Sequence, residues 1–332
     1  MKSIRSSSKV IVTGAGGALG RWVASRLSRN GFRVYGIGHG AWIREHWSDY
    51  GMSGWRSATV TVNELKRLCR RADLIVHCAG GSSVSFSNLH PYRDFAKTVS
   101  SSAAVLGYVS DHSPETRIVF PSSAAVYGKV KVLPIRETER LQPVSPYGIH
   151  KLVSEEMFRH YARLFKLRIT IVRLFSVYGE GLRKQLLWDA CNKLTRCENR
   201  FQGTGDEVRD WIHLLDAADL MIVASEKACS ECPVINGGSG LGLSVREILE
   251  ELFQAWNSEA TPVFDSRKRS GDPGRYQADI SLANSLGWNP KVRWRDGVRN
   301  YVKWYKNDMN KFLASKASEQ YVKNQNAPVC SI

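Results

Sequence analysis

Acids are scarce in this chain. Its 332 residues carry 31 aspartates and glutamates against 47 lysines and arginines, a formal net charge of +16. Such an excess suits anionic partners: nucleic acid, anionic lipid or phosphorylated small molecules. The basic residues are spread along the chain without a basic-aromatic module of a nucleic-acid-binding type, so no nucleic-acid partner is expected. The charge reads as a solvated surface plus a phosphate-binding cleft. Long apolar runs are also missing. None reaches the ~18 residues that a membrane helix needs, and the basic N-terminus enters a strand and glycines without a signal-peptide pattern. Cysteine is sparse and odd in number. Seven scattered thiols read as free, in a reducing cytoplasm. Cys229 and Cys232 have C-x-x-C spacing but lack two further ligands at a zinc spacing. The histidines at 46, 90, 112, 150, 160 and 213 form neither an H-x-x-x-H pair nor a triad, so neither a metal nor a hydrolase is assigned. There is no internal repeat.

The chain does contain a recurring alternation of short apolar runs and helical patterns. Lys9–Val12 reads as a buried strand, followed by Thr13–Gly20 and a helix over Arg21–Asn30. Gly14, Gly17 and Gly20 fit a G-x-x-G-x-x-G loop, which brings backbone N–H groups close to a diphosphate at a helix N-terminus. Gly31–Ile37, Asp73–Gly81, Arg117–Ser123 and Leu167–Leu174 read as further strands. Strands alternating with helices indicate an α/β fold with a doubly wound parallel sheet. In such sheets an acid at the end of the second strand bonds the adenosine ribose of NAD. Here the chain has Gly38-His39-Gly40 with Arg44 nearby, which leaves room for the 2′-phosphate of NADP. His39 is equally readable as a plain turn residue.

The stretch Ser145–Lys151 is the chemical centre. Ser145 suits an N-cap and Pro146 the first helical position, and a helical pattern follows to Phe165. Tyr147 and Lys151 are i and i+4 on one face. An ammonium there favours the phenolate and lowers the tyrosine pKa, suiting proton exchange with a sugar hydroxyl. Tyr127 and Lys131 share the spacing, but Gly128 and Pro134 surround them and no helical run follows.

Together, Thr13–Gly20, His77–Gly80, Ser122–Gly128, Tyr147–Lys151, Arg173–Gly179, Gly203–Asp216 and Arg269–Asp272 resemble the extended short-chain dehydrogenase/reductase family, in its nucleotide-sugar epimerase/dehydratase branch. The resemblance spans about Val10 to Trp294. It implies a Rossmann-type domain over 1–176 plus about 213–237, a substrate lobe over 177–212 and 238–306, and a polar tail over 315–332. It implies catalytic Ser123, Tyr147 and Lys151, with Lys151 also on the nicotinamide ribose. NAD or NADP would be held by Gly14, Gly17, Ala18, Leu19, Gly20, His39, Ala79, Gly80, Phe175, Tyr147 and Lys151. A nucleotide-diphosphate sugar would meet Ser83, Ser123, Ser176, Arg209 and Arg269, the two arginines holding the diphosphate.

The departures narrow the chemistry. Ala124-Ala125 replaces the Asp-Glu of the family's dehydratases, which removes their acid and base. Ser176 replaces an Asn, and Lys97-Thr98 stands where another Asn is usual. Three readings follow: a 4-epimerase working through a 4-keto sugar, an NADPH-dependent reductase of a 4-keto-6-deoxy sugar, and a non-catalytic cofactor sensor. The family often pairs two subunits through four helices, which implies a homodimer through Phe86–Val109 and Pro146–Phe165, the second carrying Met157, Phe158, Tyr161 and Phe165.

Overall fold

The computed structural model describes residues 7–40, 44–81, 83–267 and 274–325. Strands β1 (Lys9–Thr13), β2 (Arg33–Gly38), β3 (Met52–Ser57), β4 (Leu74–His77), β5 (Arg117–Ser123) and β6 (Arg168–Leu174) alternate with helices. These are α1 (Ala18–Arg29), α2 (Arg44–Ser48), α3 (Val62–Leu68), α4 (Val84–Leu89), α5 (Pro91–Phe95), α6 (Ser101–His112) and α7 (Pro146–Phe165). The later chain adds β7 (Ser176–Tyr178), α8 (Gln185–Thr195), β8 (Arg200–Phe201), β9 (Val208–His213), α9 (Leu214–Glu226) and β10 (Val234–Gly237). It ends with β11 (Gly242–Ser244), α10 (Val245–Trp256), β12 (Val263–Phe264), α11 (Ser281–Ser285) and α12 (Trp294–Gln325).

One seven-stranded sheet runs in the order β10-β6-β5-β4-β1-β2-β3, with every pair parallel. This is the doubly wound Rossmann-type sheet that the alternation implies. Successive residues of β1 show why it forms. Val10 and Val12 pack under α1 and α9, while Ile11 between them packs under α3, α6 and α7. A strand buried on both faces reads as an unbroken apolar run. A separate apolar cluster joins α8, α10 and α12 through Leu187, Cys191, Ile248, Leu252, Tyr301 and Tyr305. β9 lies between β7 and β11 in a small second sheet. The strand order reverses between β1 and β4, and ligands of such sheets bind in the crevice outside the carboxyl ends there.

Several expectations are corrected. The stretch expected as one helix over 86–109 is broken into α4, α5, a π-helical turn over Ala96–Ser100, and α6. Pro91 forces the first break, because it lacks an N–H and cannot continue α4. β3 was not legible, since Gly54, Arg56 and Ser57 dilute its apolar pattern at the sheet edge. The segment expected as a tail from Ser315 continues α12 as far as Gln325. Phe158 faces the sheet core and not an outer surface.

A buried charge network ties α7 to the sheet. Arg173 on β6 donates to Glu155 on α7 at 2.7 Å, to the Tyr127 hydroxyl at 3.2 Å and to the Glu137 carbonyl at 3.0 Å. Tyr127 donates in turn to Asn236 on β10 at 2.6 Å. Both charges are out of water, so removing one strands the other. Arg173→Met is therefore expected to lower unfolding free energy by about 3–5 kcal/mol, read from denaturant unfolding of the full chain. A loss below about 1 kcal/mol would mean that Glu155 finds another partner.

Candidate active site

The glycine loop is pressed onto the end of β4. Gly14 has φ of +64°, and a Cβ there would lie 2.7 Å from the Ala79 nitrogen. A Cβ on Gly20 would lie 2.3 Å from the Gly14 carbonyl oxygen. The Gly17 N–H donates back to that carbonyl at 2.9 Å, and α1 begins at Ala18. Gly17, Ala18 and Leu19 thus stand at a helix start whose first N–H groups have no partner within the helix. A Cβ on Gly17 would meet only the Gly14 carbonyl oxygen, at 3.2 Å, so the helix start is open on that side and the loop fits a dinucleotide diphosphate.

A buried network sets the loop against β4. The Thr13 hydroxyl lies 2.7 Å from His77 Nδ1 and accepts the Ala79 N–H at 3.1 Å. His77 Nε2 lies 3.3 Å from Ser102 Oγ and 3.4 Å from Ser101 Oγ. Both serines give their hydrogens to helix carbonyls, those of Thr98 and Lys97. His77 therefore donates from Nε2 and accepts from Thr13 at Nδ1. Burial, helped by the Lys151 charge, pushes its pKa down to about 3 and keeps the ring neutral.

Beside this loop, α7 starts as expected. Ser145 accepts the Gly148 N–H at 3.2 Å, and Pro146 occupies the first turn. The Tyr147 N–H donates to buried Ser87 Oγ at 3.0 Å. A Cβ on Gly148 would lie 2.6 Å from the Ala125 carbonyl, so α7 sits hard against the turn after β5. That contact sets Tyr147 near Ser123, whose hydroxyl acts to lower the phenol's pKa. Lys151 Nζ lies 6.0 Å from the Tyr147 ring centroid and 4.8 Å from that of Phe120, and it donates to the Pro121 carbonyl at 2.9 Å. A Cβ on Gly80 would lie 3.7 Å from Nζ, so the ends of β4, β5 and α7 meet here.

The expected lowering of the Tyr147 pKa is not what this geometry produces. Burial pushes the phenol up, the Ser123 hydrogen bond opposes it, and the Asp94 carboxylate adds to the rise. Lys151 turns one of its three N–H donors to the Pro121 carbonyl, and its charge does not offset the rise of Tyr147. Burial takes Lys151 itself down to about 8, against the raising effects of Cys78, Asp94 and Glu155 and with a further lowering from Lys184. Tyr127, the other tyrosine with this spacing, is wholly buried and held by Asn236 and Arg173; it belongs to the scaffold.

The remaining expected residues lie on other elements. Ser83 caps α4 by accepting the Phe86 N–H at 3.2 Å. Buried Phe175 donates its N–H to the Gly237 carbonyl at 2.9 Å, and Ser176 follows it at the start of β7. His39 is exposed just past β2. Arg209 lies on β9, with Nη1 on the Val208 carbonyl at 2.8 Å. Arg269 and the side chain of Arg44 lie outside the described residues.

Three features escaped sequence reasoning. Thr98 accepts the Gly81 N–H at 2.7 Å, so a hydroxyl serves where the family's Asn was missed. Asp94 and His150 meet in the interior at 2.6 Å between α5 and α7, although they are 56 residues apart. Asp210 anchors the 238–240 loop by accepting from Ser239, Gly240 and Ala278. Only the Lys97-Thr98 departure left any signal in the sequence. Among the described residues no group of three or more His, Cys, Asp or Glu side chains is arranged to hold a metal ion, and no helix is long and apolar enough to cross a membrane.

The profile of the NAD dependent epimerase/dehydratase family matches residues 10–236. The chain belongs to this family. It is 30% identical to a UDP-glucose 4-epimerase of Azospirillum brasilense over 323 residues, covering 90% of this chain and 92% of that protein. Its fold matches the UDP-glucose 4-epimerase of Thermotoga maritima, solved with UDP-glucose, at a TM-score of 0.83 and 26% identity, over 91% of this chain and 99% of that one. The UDP-glucose-4-epimerase of Stenotrophomonas maltophila, solved with NAD and formylated UDP-arabinopyranose, matches at 0.81 and 26%, over 92% and 99%.

The buried lysines give the fold a pH signature. Between pH about 8 and about 10.4 the unfolded chain holds a proton on Lys151 that the native chain has lost, so stability rises with pH there. Lys184, also held near about 8 by burial, acts in the same direction. In denaturant melts across that range, Lys151→Met should make the rise shallower without abolishing it. An unchanged slope would place Lys151 in water.

Proposed function

We propose that this family member is an NAD(P)-dependent nucleotide-sugar epimerase working at C4. The observation that carries the reading is the convergence of Ser123, Tyr147 and Lys151 beside Gly80, facing the glycine loop across the switch-point crevice. When bound there, the nicotinamide supplies the hydride acceptor and donor for C4. Ser123 bonds the C4 oxygen and orients it toward Tyr147. Tyr147 takes the C4 hydroxyl proton as the carbon is oxidised to a ketone, and gives it back when the ketone is reduced from the opposite face. The phenol rests protonated in its buried setting, so it becomes a base only when positive charge arrives beside it. Lys151, which donates to the Pro121 carbonyl, is assigned to the nicotinamide ribose. Arg209, with Arg269, is assigned to the diphosphate of the substrate.

Ala124-Ala125 leaves no acid-base pair for dehydration. Gly38 and His39 favour one alternative, an NADPH-dependent 4-keto reductase, because no acid ends β2. Retention of Ser123, Tyr147 and Lys151 together argues against a cofactor sensor without catalysis. Tightly retained NAD in the purified protein supports the epimerase, and freely exchanging NADPH the reductase.

Tyr147→Phe is expected to lower turnover by about 10²–10⁴ while leaving dinucleotide affinity nearly intact. Turnover at the wild-type rate would rule out the mechanism. Lys151→Met is expected to weaken dinucleotide binding as well as turnover, measured by calorimetric titration, and unchanged affinity would remove Lys151 from the ribose.

A homodimer is proposed on the same face as α5 and α7. Leu89, Tyr92, Phe95, Ile149, Val153 and Leu164 are exposed there, Tyr92 at 81%. That is more apolar surface than a lone helix layer leaves in water. Light scattering at micromolar concentration should return twice the chain mass; a single mass would exclude the dimer.

A further inference from the structure

β2 and β3 are parallel neighbours, with Gly36 opposite Trp55. Gly36 and Gly38 stand two apart and so share one face of the sheet, the face turned to the glycine loop. The Trp55 indole fills the space that both leave. A Cβ on Gly36 would lie 3.0 Å from indole Cε3 and 3.0 Å from Ala15 Cβ. A Cβ on Gly38 would lie 3.2 Å from Cη2, with Gly14 Cα and the Gly16 nitrogen each 3.7 Å away. A Cβ on Gly16 would meet the same Cη2 at 3.4 Å. The indole therefore runs along β2 and ends with Cη2 between the glycine loop and the last residue of the strand. That is where a β2 carboxylate would meet the adenosine ribose. Trp55 is half-buried. Arg21 lies close by on α1, donating from Nε to the Gly16 carbonyl at 3.0 Å.

We propose that Trp55 is a cofactor-contacting residue whose indole edge, standing where a carboxylate would stand, forms the wall against the adenosine ribose and admits a 2′-phosphate as readily as a 2′-hydroxyl. The proposal rests on the dinucleotide reading above. An aromatic edge is the positive part of the ring quadrupole. It accepts no hydrogen bond from a 2′-hydroxyl, so NAD gains nothing there, and it carries no negative charge to repel a 2′-phosphate. A structural consequence separates this from a plain absence of acid at position 38. An aspartate at 38 would have its Cβ 3.2 Å from Cη2, a contact that seats only if the indole gives way by a few tenths of an ångström, and removing the indole lifts that restriction.

The test is a double-mutant cycle on the full chain. Dissociation constants for NAD⁺ and NADP⁺ are measured by calorimetry for wild type, Gly38→Asp, Trp55→Val and the double variant. Wild type is expected to bind the two within about tenfold of each other, about 1.4 kcal/mol. Gly38→Asp alone should weaken both by about tenfold or more without selecting NAD⁺. Adding Trp55→Val should restore NAD⁺ and leave it at least about tenfold tighter than NADP⁺. Trp55→Phe, which keeps an aromatic ring in place, should fold and bind both, but should lose part of the tryptophan fluorescence quenched by NADPH in wild type. Gly38→Asp selecting NAD⁺ as strongly as the double variant would overturn the proposal, as would quenching unchanged in Trp55→Phe. A wild type that binds neither dinucleotide would overturn the functional reading beneath it instead.

Discussion

Two charges one turn apart on α7 hold the site together. Lys151 and Glu155 are both withdrawn from water, and an unpaired charge in that position would be prohibitively costly. Each therefore needs a partner on the sheet. Lys151 finds the Pro121 carbonyl, while Glu155 accepts from the Ser122 hydroxyl at 2.5 Å and from Arg173. Those partners lie on adjacent residues of β5 and on β6, so the helix has one azimuth and one height on the sheet. The register carries Tyr147 to Ser123, and Gly148 lets the approach close. The arrangement proposed for catalysis thus follows from satisfying buried charge.

The same desolvation sets the chemistry. In the crevice the low-dielectric surroundings disfavour every charged form, so the phenol of Tyr147 rises and the ammonium of Lys151 falls. The two proton affinities move apart, the phenol above its ordinary value and the ammonium down to about 8, so the neutral form of each is favoured and neither ionises the other. Such a pair is poised for a ligand that brings charge with it. His77, neutral and locked between Thr13 and two serines, gives the glycine loop a base that does not move with pH in the physiological range.

Much of this was readable from the chain alone. Strands β1, β2, β4, β5 and β6 appear as short apolar runs bounded by Gly and polar residues, because a parallel strand buried on both faces holds apolar side chains on each, with Arg117 and Arg173 as exceptions that Glu226 and Glu155 pair. Ser244 and Glu247 form a capping box at the start of α10, with both of its bonds present. What escaped were elements with weak local patterns: edge strand β3, the three-residue strands β7 and β11, and the break at Pro91. The lowering of the Tyr147 pKa was inferred from helical spacing, and spacing says nothing of where an ammonium turns once another acceptor is nearer.

The sequence by itself determined the parallel α/β architecture, the glycine turn and the Ser145–Lys151 helix start, since each leaves a pattern within a few residues of chain. Only the tertiary structure decided which groups share the crevice. Asp94 meets His150, Thr98 takes the Gly81 N–H, and Trp55 reaches across from β3 to the end of β2. Each of these depends on how distant segments pack, and side-chain contacts between segments leave no periodic trace along the chain.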